Sequence, residues 1–133
     1  MNVTLTSIAP VFPVDDVEAS VRWYVTMLGF GAVFENRDPN DEDPTNYAVL
    51  RRDQVALHLI RRAEAAERFA GAVDAQFSIA GDIDAFFEAL RARGVNVLQS
   101  PQDQPWGCRD FIVTDPSGNK VWISRPQSLG GDG

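Results

Sequence analysis

Apolar side chains recur along the first sixty residues with the period of a strand, then with that of a helix. Residues 7–14 are rich in strand-forming side chains and carry two prolines, which suits an edge strand. Asp15 and Asp16 then provide cap residues for an amphipathic helix that Gly29 ends. The apolar positions of this helix return every three or four residues, at Val17, Val21, Tyr24 and Leu28.

Strand-like patterns follow this helix, and the whole order then repeats. The strands predicted in the first half after the helix cover residues 30–36, 47–50 and 54–60, with a turn at residues 51–53. In the second half a helix begins after Asp82 and ends at Gly94. The strands predicted around it cover residues 75–80, 95–98, 110–114 and 120–124. Residues 63–69 between the halves predict either a short connecting helix or a linker.

The two halves also resemble each other in sequence. Residues 16–19 read Asp-Val-Glu-Ala, and the corresponding residues 82–85 read Asp-Ile-Asp-Ala. We infer two βαβββ modules, at about residues 7–61 and 73–125, within a single domain spanning residues 1–133. Neither module can bury its sheet face alone. The predicted fold is therefore α+β, with two mixed sheets that curl toward each other around a cleft.

The net charge limits the expected classes of partner, and the cysteine content indicates the cellular location. Twelve Lys and Arg residues against nineteen Asp and Glu give a net charge of −7, which disfavours nucleic acid and membrane partners and suits a cationic or neutral ligand. No apolar run approaches the roughly 18 residues of a membrane-spanning helix. The single cysteine, Cys108, rules out an intramolecular disulfide and favours a reducing, cytoplasmic location.

A single histidine, His58, removes most metal-dependent mechanisms, whereas a Ser-His-Asp relay needs only one imidazole and is not excluded by composition. Sites of the HExxH type, facial triads and histidine-rich zinc sites each need two or more imidazoles. The sequence also lacks the GxSxG, GxGxxG and GxxxxGK motifs. Nothing local therefore indicates hydrolase, dinucleotide or phosphate-loop chemistry.

Three segments carry a resemblance to a known family. Residues 14–24, followed by Leu28-Gly29-Phe30, and the turn at residues 115–120 resemble the helix opening and the closing turn of the vicinal oxygen chelate superfamily. That superfamily includes glyoxalase I, extradiol dioxygenases, fosfomycin-modifying enzymes and bleomycin resistance proteins. Residues 104–111, which read Gln-Pro-Trp-Gly-Cys-Arg-Asp-Phe, are similar to a segment of the bleomycin resistance proteins.

The resemblance implies a binding function rather than metal chemistry. Enzymes of this superfamily place His or Glu ligands on the first and last strands of each module. The matching positions here are Ala9, either Ala75 or Gln76, His58 and Trp122. Alanine and tryptophan side chains do not ligate metal ions, so we expect no metal and no cofactor.

The expected activity is sequestration of a cationic or planar antibiotic-like ligand in an aromatic cleft, by a homodimer. The alternative is a lyase or oxygenase of the superfamily with an atypical or absent metal site. The sequence does not decide the identity of the ligand.

Six side chains are expected to line the cleft: Phe34, Tyr47, His58, Trp106, Asp110 and Trp122. Trp106 follows a proline in a loop and offers a stacking face; the alternative is an anchor packed on the sheet. His58 either hydrogen-bonds the ligand or is a satisfied, half-buried imidazole. Trp122 lines the cleft if its odd-numbered neighbours fill the core. Phe34 and Tyr47 either widen the aromatic lining or are ordinary core residues, and Asp110 is expected to attract a cation, unless it is simply solvated.

Overall fold

The computed structural model describes residues 2–42, 44–62 and 71–127. Two helices, α1 (Val17–Leu28) and α2 (Ile83–Ala92), are each followed by three strands and preceded by one. The strands of the first module are β1 (Val11–Val14), β2 (Gly31–Arg37), β3 (Thr45–Arg52) and β4 (Val55–Arg61). Those of the second are β5 (Asp74–Ser78), β6 (Asn96–Gln104), β7 (Cys108–Thr114) and β8 (Lys120–Pro126).

Each module forms one four-stranded mixed sheet. The strand order is β1-β4-β3-β2 in the first sheet and β5-β8-β7-β6 in the second. The pairs β1–β4 and β5–β8 are parallel, and the other pairs are antiparallel. The predicted α+β fold of two βαβββ modules is confirmed. The sheets stay separate and are not closed into a barrel.

Both helices begin at the aspartates that the sequence marks. The side chain of Asp16 accepts a hydrogen bond from the Ala19 amide, and Asp82 does the same for the Ala85 amide. Such caps satisfy amides that the first turn of a helix leaves unpaired. Gly29 ends α1 in the left-handed region at φ 72°, where a residue without a Cβ atom is favoured.

One face of each sheet packs under its helix, and the two cores are continuous. Buried side chains from α1 and from β1, β3 and β4 join those of α2, β7 and β8 in one apolar cluster. Val121 and Ile123 lie in this cluster, as the alternation along β8 predicts. The opposite face of each sheet is therefore left available for other contacts.

Most strand boundaries differ from the predicted ones, the largest differences being at β1 and β6. β1 begins at Val11 instead of residue 7, and the turn between β3 and β4 consists of Asp53 and Gln54 alone. β6 runs on to Gln104, six residues beyond the predicted end. Its pairing with β7 shifts register twice, which breaks the alternation that marks a regular strand. The predicted connection at residues 63–69 lies outside the described residues.

The modules are joined by buried polar contacts near the turn between β7 and β8. The Tyr24 hydroxyl donates to the Asp115 carboxylate over 2.8 Å, and the Asn119 side-chain amide donates to the Pro13 carbonyl over 2.9 Å. Phe30 packs against Phe77 at the other end of α1. Within the described residues, no helix is long and apolar enough to cross a membrane.

Candidate functional site

A row of side chains crosses the first sheet on the face away from α1. Phe34 on β2 pairs with Val49 on β3, which pairs with His58 on β4, which pairs with Val11 on β1. Paired residues of neighbouring strands project to the same side of a sheet. Three of the six predicted residues, Phe34, Tyr47 and His58, are brought together on this face, because Tyr47 lies two positions before Val49.

Tyr47 and His58 are in direct contact. The Tyr47 hydroxyl lies 2.6 Å from Nδ1 of His58, and the two rings meet edge to face with their centroids 5.6 Å apart. Burial raises the pKa of the Tyr47 phenol above its ordinary value, so the hydroxyl keeps its proton. The pair is a polar element on an otherwise largely apolar row.

Beside this pair lies a shallow cavity of about 370 Å³. It is lined by Phe34, Asn36, Asn46, Tyr47 and Ile60. The Asn36 amide donates to the side-chain carbonyl of Asn46 over 2.8 Å, which fixes the orientation of both amides. Phe34 is 53% exposed, so its ring is available to a ligand in the free protein. The cavity therefore combines two aromatic rings with oriented amide groups.

Trp122 lies on the corresponding face of the second sheet. It pairs with Ile112 on β7 and Gln76 on β5, away from the buried Val121 and Ile123. Its indole N–H donates to the Asp74 carboxylate over 3.0 Å. The indole is thus half-buried and held by an acidic side chain that sequence reasoning missed.

Asp110 is on the same face but is 1% exposed. Its carboxylate accepts hydrogen bonds from the side-chain amides of Gln99 and Gln104, over 2.7 and 2.9 Å. The Cys108 thiol is also buried and lies 3.8 Å from the other carboxylate oxygen. In this arrangement Asp110 organises the start of β7, and its carboxylate is enclosed rather than presented to an approaching cation.

Trp106 lies at the tip of the turn between β6 and β7. The following Gly107 has a φ of 92°, which closes this tight turn in a conformation that favours glycine. The indole of Trp106 is 68% exposed. Within this chain the side chain is therefore not packed as an anchor on its own sheet.

Arg109, two residues before the core residue Phe111, has an ordinary structural role. Its guanidinium bridges Asp84 on α2 and Asp103 on β6, over 2.8 and 3.2 Å. The hydrogen bond from Arg109 holds the pKa of the exposed Asp84 carboxyl below its usual value. The pair links helix α2 to the hairpin that carries Trp106.

A larger cavity, of about 620 Å³, lies between the modules and away from the six predicted residues. Its wall includes three phenylalanine rings, the turn between β3 and β4, and the loop that precedes α2. The lining residues that define it are Phe30, Arg52, Val55, Phe77, Ile79 and Phe86. The turn at Asp53 and Gln54, on the wall of this cavity, has two residues. The corresponding turn of the second module, at residues 115–119, is longer and makes hydrogen bonds to Asp15 and Pro13 of the first module. We place the candidate site on the first sheet because Phe34, Tyr47 and His58 meet there, whereas none of the six predicted residues lines the larger cavity.

The donor set does not fit a metal ion. Of the two alternatives at the first strand of the second module, Ala75 faces the core and Gln76 lies opposite Trp122. The Trp122 indole N–H is a hydrogen-bond donor already used by Asp74. Among the described residues, no group of three or more His, Cys, Asp or Glu side chains is placed to share an ion.

Sequence reasoning missed three residues of this region: Asn36, Asn46 and Asp74. Asn36 has the same strand parity as Phe34, and Asp74 the same parity as Gln76. The period of two along a strand was the available signal. It was not sufficient because the register of neighbouring strands decides which polar residue meets which ring.

Comparison with known proteins agrees with this architecture. The family model of the Glyoxalase/Bleomycin resistance protein/Dioxygenase superfamily matches residues 5–123. The chain belongs to this superfamily. A Bleomycin resistance protein from Geobacillus stearothermophilus is 30% identical over 128 residues, covering 84% of this chain and 90% of that protein.

Solved structures of the superfamily share the fold. A glyoxalase/bleomycin resistance protein/dioxygenase from Nocardioides is 26% identical, with a TM-score of 0.73, and the match covers 99% of this chain and 91% of that chain. TnmS3, an antibiotic binding protein from Streptomyces sp. CB03234, is 22% identical with a TM-score of 0.73, and the match covers 95% of this chain and 100% of that chain. At 22% identity the second likeness concerns the fold alone.

Proposed function

We propose that this protein binds and sequesters a small planar or cationic molecule of the antibiotic type, without transforming it. The observation that carries the proposal is the aromatic face of the first sheet, where Phe34 and Tyr47 line a cavity beside His58. The 30% identity to a bleomycin resistance protein over nearly the whole length of both chains supports the same function. Exposed aromatic rings offer large contact areas at a low cost in conformational entropy.

Charge supports the cationic alternative among ligands. The chain carries a net charge of −7, so its average field attracts cations toward the molecule. A guanidinium or ammonium group over an aromatic ring gains a further cation–π contribution of about 0.5–2 kcal/mol.

Binding without a metal ion is part of the proposal. The four positions that would carry ligands in a metal-dependent relative supply one imidazole, one alanine, one amide and one indole, at His58, Ala9, Gln76 and Trp122. Only the imidazole is a good ligand for Zn²⁺, Ni²⁺ or Fe²⁺. The alternative, a superfamily enzyme with an atypical metal site, would need carboxylates that this face does not gather among the described residues.

We also propose that the protein is a cytoplasmic homodimer. Residues 2–10 form no strand or helix, and Leu5 and Ile8 on this arm are 95% and 94% exposed. Trp106 is similarly uncovered, and a second copy is one means of burying such apolar groups. The one cysteine supports the cytoplasmic location. Sedimentation should give about twice 14.7 kDa, and a strict monomer at high micromolar concentration would contradict the dimer.

The direct test is calorimetric titration with metal-free bleomycin, followed by a thermal-shift screen of other flat or cationic antibiotics. A ligand present at about 100 times its Kd raises the free energy of unfolding by about 2.7 kcal/mol, which gives a clear rise in Tm. Saturable heat with bleomycin and recovery of unchanged drug support sequestration. Chemical modification of the drug during incubation would instead indicate an enzyme.

A further inference from the structure

The imidazole of His58 is hydrogen-bonded on one side and open on the other. Its Nδ1 atom lies 2.6 Å from the Tyr47 hydroxyl. Within residues 2–42, 44–62 and 71–127, Nε2 has no hydrogen-bond partner. The buried polar atoms without a partner in that part of the chain do not include Nε2. Nε2 is therefore accessible from the open face of the sheet.

The direction of the Tyr47–His58 hydrogen bond follows from the chemistry of the two groups. A phenol is a good O–H donor, whereas an unprotonated imidazole nitrogen is a strong acceptor. Tyr47 keeps its proton because burial opposes its ionisation. A neutral imidazole that accepts at Nδ1 carries its own proton at Nε2.

His58 is the one hydrogen-bonding side chain in its own row of paired residues across the sheet. Val49 and Val11 flank His58 in the same row across the sheet, and Phe34 completes the row on β2. These side chains offer no hydrogen bond. The row is open to solvent in the free protein, with Val11 40% and Phe34 53% exposed. A ligand that covers this row displaces water from Nε2, and the donor then becomes costly unless the ligand supplies an acceptor.

We propose that the Nε2–H group of His58 is a specificity-determining donor, with Tyr47 as the residue that positions it. The site then selects molecules that place a hydrogen-bond acceptor, such as a carbonyl oxygen, next to a flat apolar ring. This selection rests on the proposed function for the existence of a ligand, but the tautomer is a property of the free protein. A neutral imidazole also tolerates a positive charge elsewhere on the ligand.

The tautomer can be measured directly because His58 is the single histidine of the chain. Long-range ¹H–¹⁵N correlation spectra of ¹⁵N-labelled protein at about pH 8.5, where an ordinary imidazole is neutral, report which nitrogen carries the proton. The expected result is a proton on Nε2, with an Nδ1 resonance that moves in Tyr47→Phe. A proton on Nδ1 in the unmodified protein, or an Nδ1 resonance indifferent to Tyr47→Phe, would overturn the proposal.

The selection of an acceptor can be tested with two probes of matched shape. Acetophenone has a carbonyl oxygen beside an aromatic ring, and α-methylstyrene has a CH₂ group in place of that oxygen. Acetophenone should shift the His58 Nε2 resonance on binding. The ratio of the two dissociation constants cancels most of the difference in apolar contact.

His58→Phe is the matched variant, because it keeps a ring and removes both nitrogens. Loss of one hydrogen bond should reduce the preference for acetophenone over α-methylstyrene about fivefold in this variant. An unchanged ratio, or no response of His58 to acetophenone, would overturn the selection of an acceptor. If bleomycin does not bind but the tautomer and the preference for acetophenone are as expected, the proposed function is contradicted and the role of His58 as a donor is not.

Discussion

The Tyr24 hydroxyl in the first module donates a hydrogen bond of 2.8 Å to the Asp115 carboxylate in the second. Both side chains are buried, and the other Asp115 oxygen accepts from the backbone amides of Ser117 and Asn119. Asp115 thus both fixes the turn between β7 and β8 and accepts a hydrogen bond from helix α1 of the other module. This contact is one of several that join the two modules.

Tyr24→Phe should lower the free energy of unfolding by about 1–3 kcal/mol, because it leaves a buried carboxylate with one donor fewer. Urea unfolding of the variant and the unmodified protein measures this difference. Tyr47→Phe is the control, since Tyr47 is only partly buried and its partner His58 is accessible. Equal stability of Tyr24→Phe and the unmodified protein would show that water replaces the lost donor without cost.

The same hydroxyl predicts a loss of stability at alkaline pH. Burial, followed by the negative charge of Asp115, raises the pKa of Tyr24 far above its ordinary value of 10.0. Above about pH 10 the unfolded chain releases this proton and the folded chain keeps it, so stability is complete below that pH and falls as the pH rises. The fall approaches about 1.4 kcal/mol per pH unit for one proton.

The measurement is the difference in unfolding free energy between the unmodified protein and Tyr24→Phe, at about pH 9 and about pH 11. Because both proteins retain Tyr47, its titration cancels in the comparison. The advantage of the unmodified protein should shrink at the higher pH. A difference that stays constant over this range would contradict the assignment to Tyr24.

In the proposed homodimer we expect Trp106 of one copy to complete the ligand site of the other, so Trp106→Ala should weaken ligand binding and leave the fold intact. The indole is 68% exposed at the tip of a turn, so its removal opens no core cavity. Loss of one aromatic or cation–π contact costs about 1–3 kcal/mol of binding free energy, a rise in Kd of about 5- to 150-fold. Titration with bleomycin measures the change.

Trp122→Ala is the matched comparison, because that indole is half-buried and hydrogen-bonded to Asp74. It should reduce stability and binding together. If Trp106→Ala instead lowers Tm sharply while the affinity per folded molecule is unchanged, Trp106 is an anchor in an interface and not a ligand contact.

Purified protein should contain little stoichiometric zinc, nickel, manganese or iron when no chelator is used. Ala9, Gln76 and Trp122 supply no strong ligand beside His58, so an adventitious ion should be lost on dialysis. Elemental analysis by mass spectrometry measures the content. About one tightly retained metal ion per chain would contradict binding without a metal and favour an enzyme.

Local pattern was sufficient for the helices and for the duplication. Asp16 and Gly29 delimit α1 as their residue types predict, and the alternation around Trp122 places that side chain on the open face. The local pattern was insufficient for β6, where two register shifts and Pro101 break the alternation that marks a strand. The choice between Ala75 and Gln76 needed the pairing with β8, which no local pattern encodes.

The site could be predicted only in part for the same reason. Ring types and strand parity indicated Phe34, Tyr47 and His58, but their contact depends on the register that the Asp53-Gln54 turn imposes on β3 and β4. The burial of Asp110 depends on Gln99 and Gln104, which lie on the irregular strand. The larger cavity arises from the packing of one module on the other, so its lining is spread over many segments.

We expect the ligand to bind on the aromatic face of the first sheet and not in the larger cavity between the modules. Backbone amide chemical shifts of ¹⁵N-labelled protein during titration with metal-free bleomycin distinguish the two places. The largest changes should cluster around Phe34, Tyr47 and His58 and saturate with the calorimetric Kd. Changes centred on Phe30, Phe77 and Phe86, with the first sheet unaffected, would contradict it.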